Sequence, residues 1–250
     1  VADGEFSAYG LSHWLVLAVF AAGAAALAGT GRRQRGTPAE RRLSRVFAVV
    51  VLAAAVVVQT YSMITIRDPV NWIPLHLSDL AGPVVAYALW TRRPWPCALT
   101  YFWCLTLSSQ ALFFPVLTGP DFPSRTFVTF WGMHLLVVWA AVYLTWGVGR
   151  APDWRGYWFS VTVTAGWAAV AMVFNAVAGT NYGYLSRAPE SASLVDVLGP
   201  WPWYVLSIVA LVLGVWALMT WPWTRRHHRH ATTAPAFHHR PRRTQNKQGS

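Results

Sequence analysis

The sequence predicts an all-α, polytopic membrane protein of seven transmembrane helices, with its N-terminus outside and its C-terminus in the cytoplasm. Three observations predict this. Of 250 residues, 55% are hydrophobic and only 12% are charged, about half the charge of a soluble domain. The apolar residues gather in seven runs, each near the roughly 20 residues that a helix needs to cross a bilayer. The basic residues fall in the short loops between those runs and in the tail, with a consistent bias to one side.

Leu11–Thr30 is the first run. Its basic residues follow the apolar stretch, whereas a cleaved leader has them in front, so it reads as a permanent span. Val46–Ile66 comes next, then Pro74–Trp90, which is shorter and polar at its start. Cys97–Leu117, Phe127–Gly147, Trp158–Ala178 and Trp201–Trp221 complete the set. Tryptophans at the run ends, among them Trp14, Trp72, Trp90, Trp146, Trp158, Trp201 and Trp221, fit interfacial belts. Residues 1–222 read as the membrane domain. Residues 223–250 read as a basic, His/Arg-rich cytoplasmic tail with too few apolar residues to fold alone.

Orientation follows from the loops. Arg32, Arg33, Arg35, Arg41, Arg42 and Arg45 follow the first run; Arg92 and Arg93 follow the third, and Arg150 and Arg155 the fifth. With the tail, that side holds 17 Lys and Arg, against Arg67, Arg125 and Arg187 on the other. The arginine side is therefore expected inside. The same distribution explains the net charge of +11 without a nucleic-acid surface. His227, His228, His230, His238 and His239 in the tail are expected to be solvated beside anionic lipid, and no metal is expected. Cys97 and Cys104, seven residues apart on one run, are expected as free buried thiols.

Polar side chains inside a bilayer are costly, so each needs a partner or a function. On this orientation they collect in the outer half. His76, Ser78 and Asp79 lie in the first turns of the third run, with Gln110 two-thirds along the fourth. His134 is two turns into the fifth, Asn175 near the end of the sixth, and Asn181 and Tyr182 in the loop beyond it. His13, at the start of the first run, is expected at the interface. His76 and Asp79 are three apart and share a helix face. Pro74 suits a first helical turn, and Pro83 frees the carbonyl of Asp79. His134 reads either as a general base or as a hydrogen bond between helices. Ser78 reads as a nucleophile or as small-residue packing. Asp79 reads as a site residue or an ion pair, and Gln110 and Asn175 as site lining or interhelical contacts.

The stretch Pro74-Leu75-His76-Leu77-Ser78-Asp79-Leu80 begins a longer pattern. Tyr101-Phe102-Trp103, Gln110-Ala111-Leu112, Phe122-Pro123-Ser124 and Met133-His134 follow it. Asn175-Ala176, Gly179-Thr180-Asn181-Tyr182 and Leu198-Gly199-Pro200-Trp201-Pro202-Trp203-Tyr204 complete it. In order and spacing this resembles the bacterial YwaF-like integral membrane proteins, related to the eukaryotic transmembrane protein 164 family. The resemblance covers roughly residues 8 to 222. It implies acyl transfer between phospholipids, with Ser78 at the position of that family's nucleophilic cysteine and His134 at that of its histidine. Serine departs from the pattern, since its hydroxyl needs a stronger base than a thiol does.

Two readings follow. One is a lipid acyl hydrolase or acyltransferase, with Ser78 as nucleophile, His134 as base, and Asp79 or His76 orienting the imidazole. Gln110 and Asn175 would hold the oxyanion, and Asn181, Tyr182 and Trp201 would line the substrate site. The other is a non-enzymatic lipid or small-solute binder or transporter centred on Asp79 and His134. The expected location is the cell membrane and the expected partners are membrane lipids, with assembly on another membrane protein as a third reading. No organic cofactor is expected.

Overall fold

Local signals in the chain account for where its helices begin and end. The computed structural model describes residues 4–66, 69–115, 117–188 and 198–232. Residues 233–250, most of the tail, and Arg67 lie outside them.

Helix α1 is Leu11–Gln34, and it ends in Arg32 and Arg33, which complement the negative end of its dipole. Helix α2, Pro38–Thr65, starts where the Thr37 hydroxyl accepts from the Glu40 N–H and Pro38 takes the first position. A short turn, α3, covers Pro69–Trp72, and α4 is Leu77–Thr91. The fifth helix is one continuous rod in three parts: α5 (Pro94–Phe102), a π-helical turn (Trp103–Ser108) and α6 (Ser109–Phe113). Helix α7 (Arg125–Val142) is capped by the Ser124 hydroxyl and runs into a second π-helical turn, Tyr143–Val148. Helix α8 (Trp154–Ala178) is capped by Asp153 at its start and ends at Gly179, whose φ of 69° suits glycine. A 3-10 turn, Tyr182–Tyr184, precedes α9, Trp203–Thr232. Among the described residues the only β pairing is an isolated bridge between Glu5 and Pro120.

Among the described residues five helices are long and apolar enough to cross a membrane: Leu11–Gln34, Pro38–Thr65, Arg125–Val148, Trp154–Ala178 and Trp203–Arg225. This is a multi-pass membrane protein. The third predicted span differs from expectation. Its helix begins at Leu77, leaving Pro74 outside, because His76 takes the cap position and Asp79 bonds back to it. The last helix also runs on to Thr232, through the first ten residues of the predicted tail.

Burial shows how the bundle is assembled. In α5, Pro96 to Phe102 are buried without a break, the mark of a helix surrounded by others. One apolar cluster joins α1, α2, α4 and α7 around Val51, Val85, Leu89 and Val138; a second joins α5, α8 and α9 around Phe102, Tyr157 and Trp216. In α2 the buried positions Glu40, Ser44, Phe47, Ala48 and Val51 form one stripe at helical spacing. Small residues allow the closest approaches. A Cβ on Gly31 would stand 2.7 Å from the Gly147 Cα, and one on Gly82 would stand 2.8 Å from the Ala55 Cβ. Cys97 and Cys104 are free and buried.

The arginine loops meet at one end. Arg92 pairs with Glu40 at 2.6 Å, and Glu40 is 3% exposed and also takes the Gly36 N–H. Arg35 donates twice to the Gly147 carbonyl, and Arg32 donates to that of Trp146. At the far end, the N-terminal segment lies against the loop that joins α6 to α7. The Phe6 N–H donates to Gly119, the Asp121 N–H to Gly4, and the Tyr9 hydroxyl to Phe113.

Candidate functional site

The first turn of α4 and the loop after α8 build the far end. His76 is the N-cap of α4, and its backbone N–H donates to Asp79 Oδ2 at 3.1 Å, closing a capping box. Asp79 also lies beside the Ser78 hydroxyl. The side chain of Ser78 is exposed, while those of His76 and Asp79 are half-buried. Pro83 stands one turn below, where its missing N–H leaves the Asp79 carbonyl without its helical donor.

Asn175 folds the loop back over the end of α8. Its Nδ2 donates to the Tyr182 carbonyl at 3.0 Å, and its Oδ1 accepts from the Thr180 hydroxyl and the Tyr182 N–H. The amide is thereby committed to the loop, which gives Asn175 a structural task. Asn181 does likewise one turn on, donating to the Arg187 carbonyl and accepting from the Ser186 and Arg187 N–H groups. The Tyr182 hydroxyl donates to the Val70 carbonyl at 2.6 Å, and its ring lies 4.7 Å from that of His76. The Trp201 indole N–H holds the Leu185 carbonyl at 3.0 Å, outside the cavities described next.

Two chambers lie side by side here and share His76 and Tyr184 as a common wall. One, of about 440 Å³, is polar and lined by His76, Thr180, Asn181, Tyr182 and Arg187. Among the described residues Arg187 forms no ion pair. The other, of about 310 Å³, is apolar and lies between α8, α9 and the π-helical turn of the fifth rod. Ser78 lines this second chamber near the shared wall, together with Tyr184 and Tyr204. Both volumes fall in the ordinary range for small-molecule sites.

His134 lines neither chamber. Its Nδ1 lies 2.7 Å from the Phe130 carbonyl. A carbonyl can only accept, so Nδ1 carries the proton and Nε2 is left as the basic nitrogen. The helix that bears it touches α4, since a Cβ on Gly82 would be 3.5 Å from the Met133 methyl. The Gln110 side chain is exposed and makes no hydrogen bond among the described residues. His13, expected at the interface, is instead fully buried. It accepts from the Tyr9 N–H, donates to the Leu112 carbonyl, and stacks on Trp131 at 5.3 Å. Two polar contacts and a stacked ring make it a tie between α1 and the end of α6, which explains why a histidine is tolerated there.

The family model of the TMEM164 family matches residues 8–220. The chain belongs to the TMEM164 family. No curated protein and no solved structure matches it. All nine candidate residues lie within the TMEM164 match. So do four chamber residues that the sequence did not single out for a site: Tyr184, Arg187, Tyr204 and Trp216. Tyr204 carried a signal as the last residue of the Leu198–Tyr204 block, and Tyr184 and Arg187 by following the Gly-Thr-Asn-Tyr block. Among the described residues no cluster of His, Cys, Asp or Glu could hold a metal ion.

Proposed function

We propose that this TMEM164-family chain is a lipid acyl hydrolase or acyltransferase of the cell membrane, acting at the two far-end chambers. The observation that carries the reading is the position of Ser78, which opens on the apolar chamber beside the wall it shares with the polar one. An amphiphile fits such a pair, with its chain in one chamber and its polar group in the other, and its ester near the serine. Ser78 Oγ attacks the acyl carbonyl carbon, and its proton passes to Nε2 of His134, a transfer that requires a bridging water or a shift of α7 because His134 lines neither chamber. The ester C–O bond then breaks, and the leaving alcohol takes that proton. Water or a second hydroxyl then releases the acyl group from Ser78. Asp79 and His76 fix the first turn of α4 on which Ser78 rides. Gln110 is the candidate amide with its side chain uncommitted, though it lines neither chamber, while the amide of Asn175 is spent on the loop.

Seven crossings, N-terminus outside and C-terminus in the cytoplasm, are part of this proposal. The gathering of the arginine loops at one end supports it, as does the central position of α4 and the fifth rod. The site then faces the outer leaflet.

A second reading is a non-enzymatic lipid or small-solute binder or transporter centred on Asp79 and His134. One observation weighs against the serine–histidine pair and so keeps this reading open: His134 lines neither chamber, and the polar side chain beside Ser78 is that of Asp79. Intact-mass measurement after a fluorophosphonate probe separates the two. The enzymatic reading expects one adduct on the native chain and none on Ser78→Ala or His134→Ala. A folded native chain that takes no label leaves the binder.

A further inference from the structure

The apolar chamber has a measurable depth. Along α9 its lining runs from Tyr204 to Trp216, about 18 Å at 1.5 Å per residue. An extended hydrocarbon chain advances about 1.25 Å per bond of about 1.5 Å, so that depth matches about fourteen carbons. The volume, about 310 Å³, lies at the small end of the range for small-molecule sites, in keeping with one chain.

The two ends of the chamber differ in kind. Ser78, His76 and Tyr184 stand at the mouth. At the bottom Trp216 is 1% exposed, stacked 4.8 Å from Phe102, and its indole N–H donates to the Thr106 hydroxyl at 3.2 Å. Phe102 is itself fully buried. An indole held by a stacked ring on one side and a hydrogen bond at its edge has no free rotamer to swing into. It makes a rigid floor.

We propose that this chamber seats a single acyl chain of up to about fourteen carbons, and that Trp216 is the floor that sets the accepted length. The proposal rests on the reading that the site takes acyl lipids, but it does not need Ser78 to react. Val212, four residues before Trp216, also lines the chamber. It lies one turn nearer the mouth on the same helix face, about 6 Å higher.

The test is native mass spectrometry of the full-length protein in detergent, titrated with saturated lysophosphatidylcholines of about eight to eighteen carbons. The native chain is expected to bind best near about fourteen carbons, with no gain beyond that length. Val212→Phe raises the floor and is expected to shorten the optimum by about five carbons, weakening the fourteen-carbon probe at least tenfold. Trp216→Ala lowers the floor and is expected to lengthen it. Should Trp216→Ala fail to fold, Val212→Phe still decides. A Val212→Phe protein with the native unfolding midpoint and the native length preference overturns the proposal, as does a native chain with no length optimum. Ser78→Ala is expected to leave the preference intact. If that variant still turns over lipid while Val212→Phe shifts the optimum, the catalytic reading fails and the floor stands.

Discussion

The two ends of the bundle are built on opposite plans. At the arginine end, polar groups answer one another across helices: Arg92 meets Glu40, and Arg35 meets the carbonyl of Gly147. At the far end, Asn175 and Asn181 spend their amides within one loop, ties such as His13 to Leu112 and Tyr182 to Val70 run between elements, and two chambers stay open beside them. The lesson is that one end is clasped by a buried ion pair, while the other is tied by neutral hydrogen bonds around open space.

Three substitutions test that division. Arg92→Ala is expected to cost most, about 3–5 kcal/mol of stability, because it strands the buried Glu40 carboxylate. Its unfolding midpoint in detergent is the measurement, and a change of under about 1 kcal/mol would mean that the arginine end is not the clasp described. Asn175→Ala is expected to cost about 2 kcal/mol by orphaning Thr180 and Tyr182. It should also speed protease cleavage after the end of α8. A loss as large as that of Arg92→Ala would show both ends to be equally tied, and the contrast would collapse. Ser78→Ala comes last, with an effect within about 0.5 kcal/mol, since its side chain is exposed at a chamber wall. A loss near 2 kcal/mol would make Ser78 a packing residue and remove the case for its chemistry.

The helices were legible because apolar runs and their arginine flanks are signals of composition, and composition survives without coordinates. The start of α4 was not. Pro74 looked like a first-turn residue, but the exchange between His76 and Asp79 delays the helix to Leu77. A side chain bonding back three residues leaves no trace in hydropathy. The site was legible in part. Ser78, His76, Asn181 and Tyr182 do line the chambers. Asn175 lies close to them, yet its amide is spent on the loop, a fact of hydrogen bonding that spacing does not carry. Trp216 was invisible for a different reason: among sixteen tryptophans in an apolar chain, nothing local marks the one that closes a cavity.

Helix α4 has 15 residues, so it is about 22 Å long, against a hydrocarbon core of about 30 Å. On the proposed seven-span topology, with Arg92 and Arg93 at one interface, its first turn would stop about 8 Å beneath the other. A lipid would reach Ser78 sideways, from within its own leaflet, without first being lifted into water. Hydrophobic mismatch then becomes a variable of function. In a thinner bilayer the headgroups sink toward the level of the serine, and in a thicker one they recede from it. Acyl-chain length of the host membrane should therefore tune access to the site, independently of the chain that the site accepts.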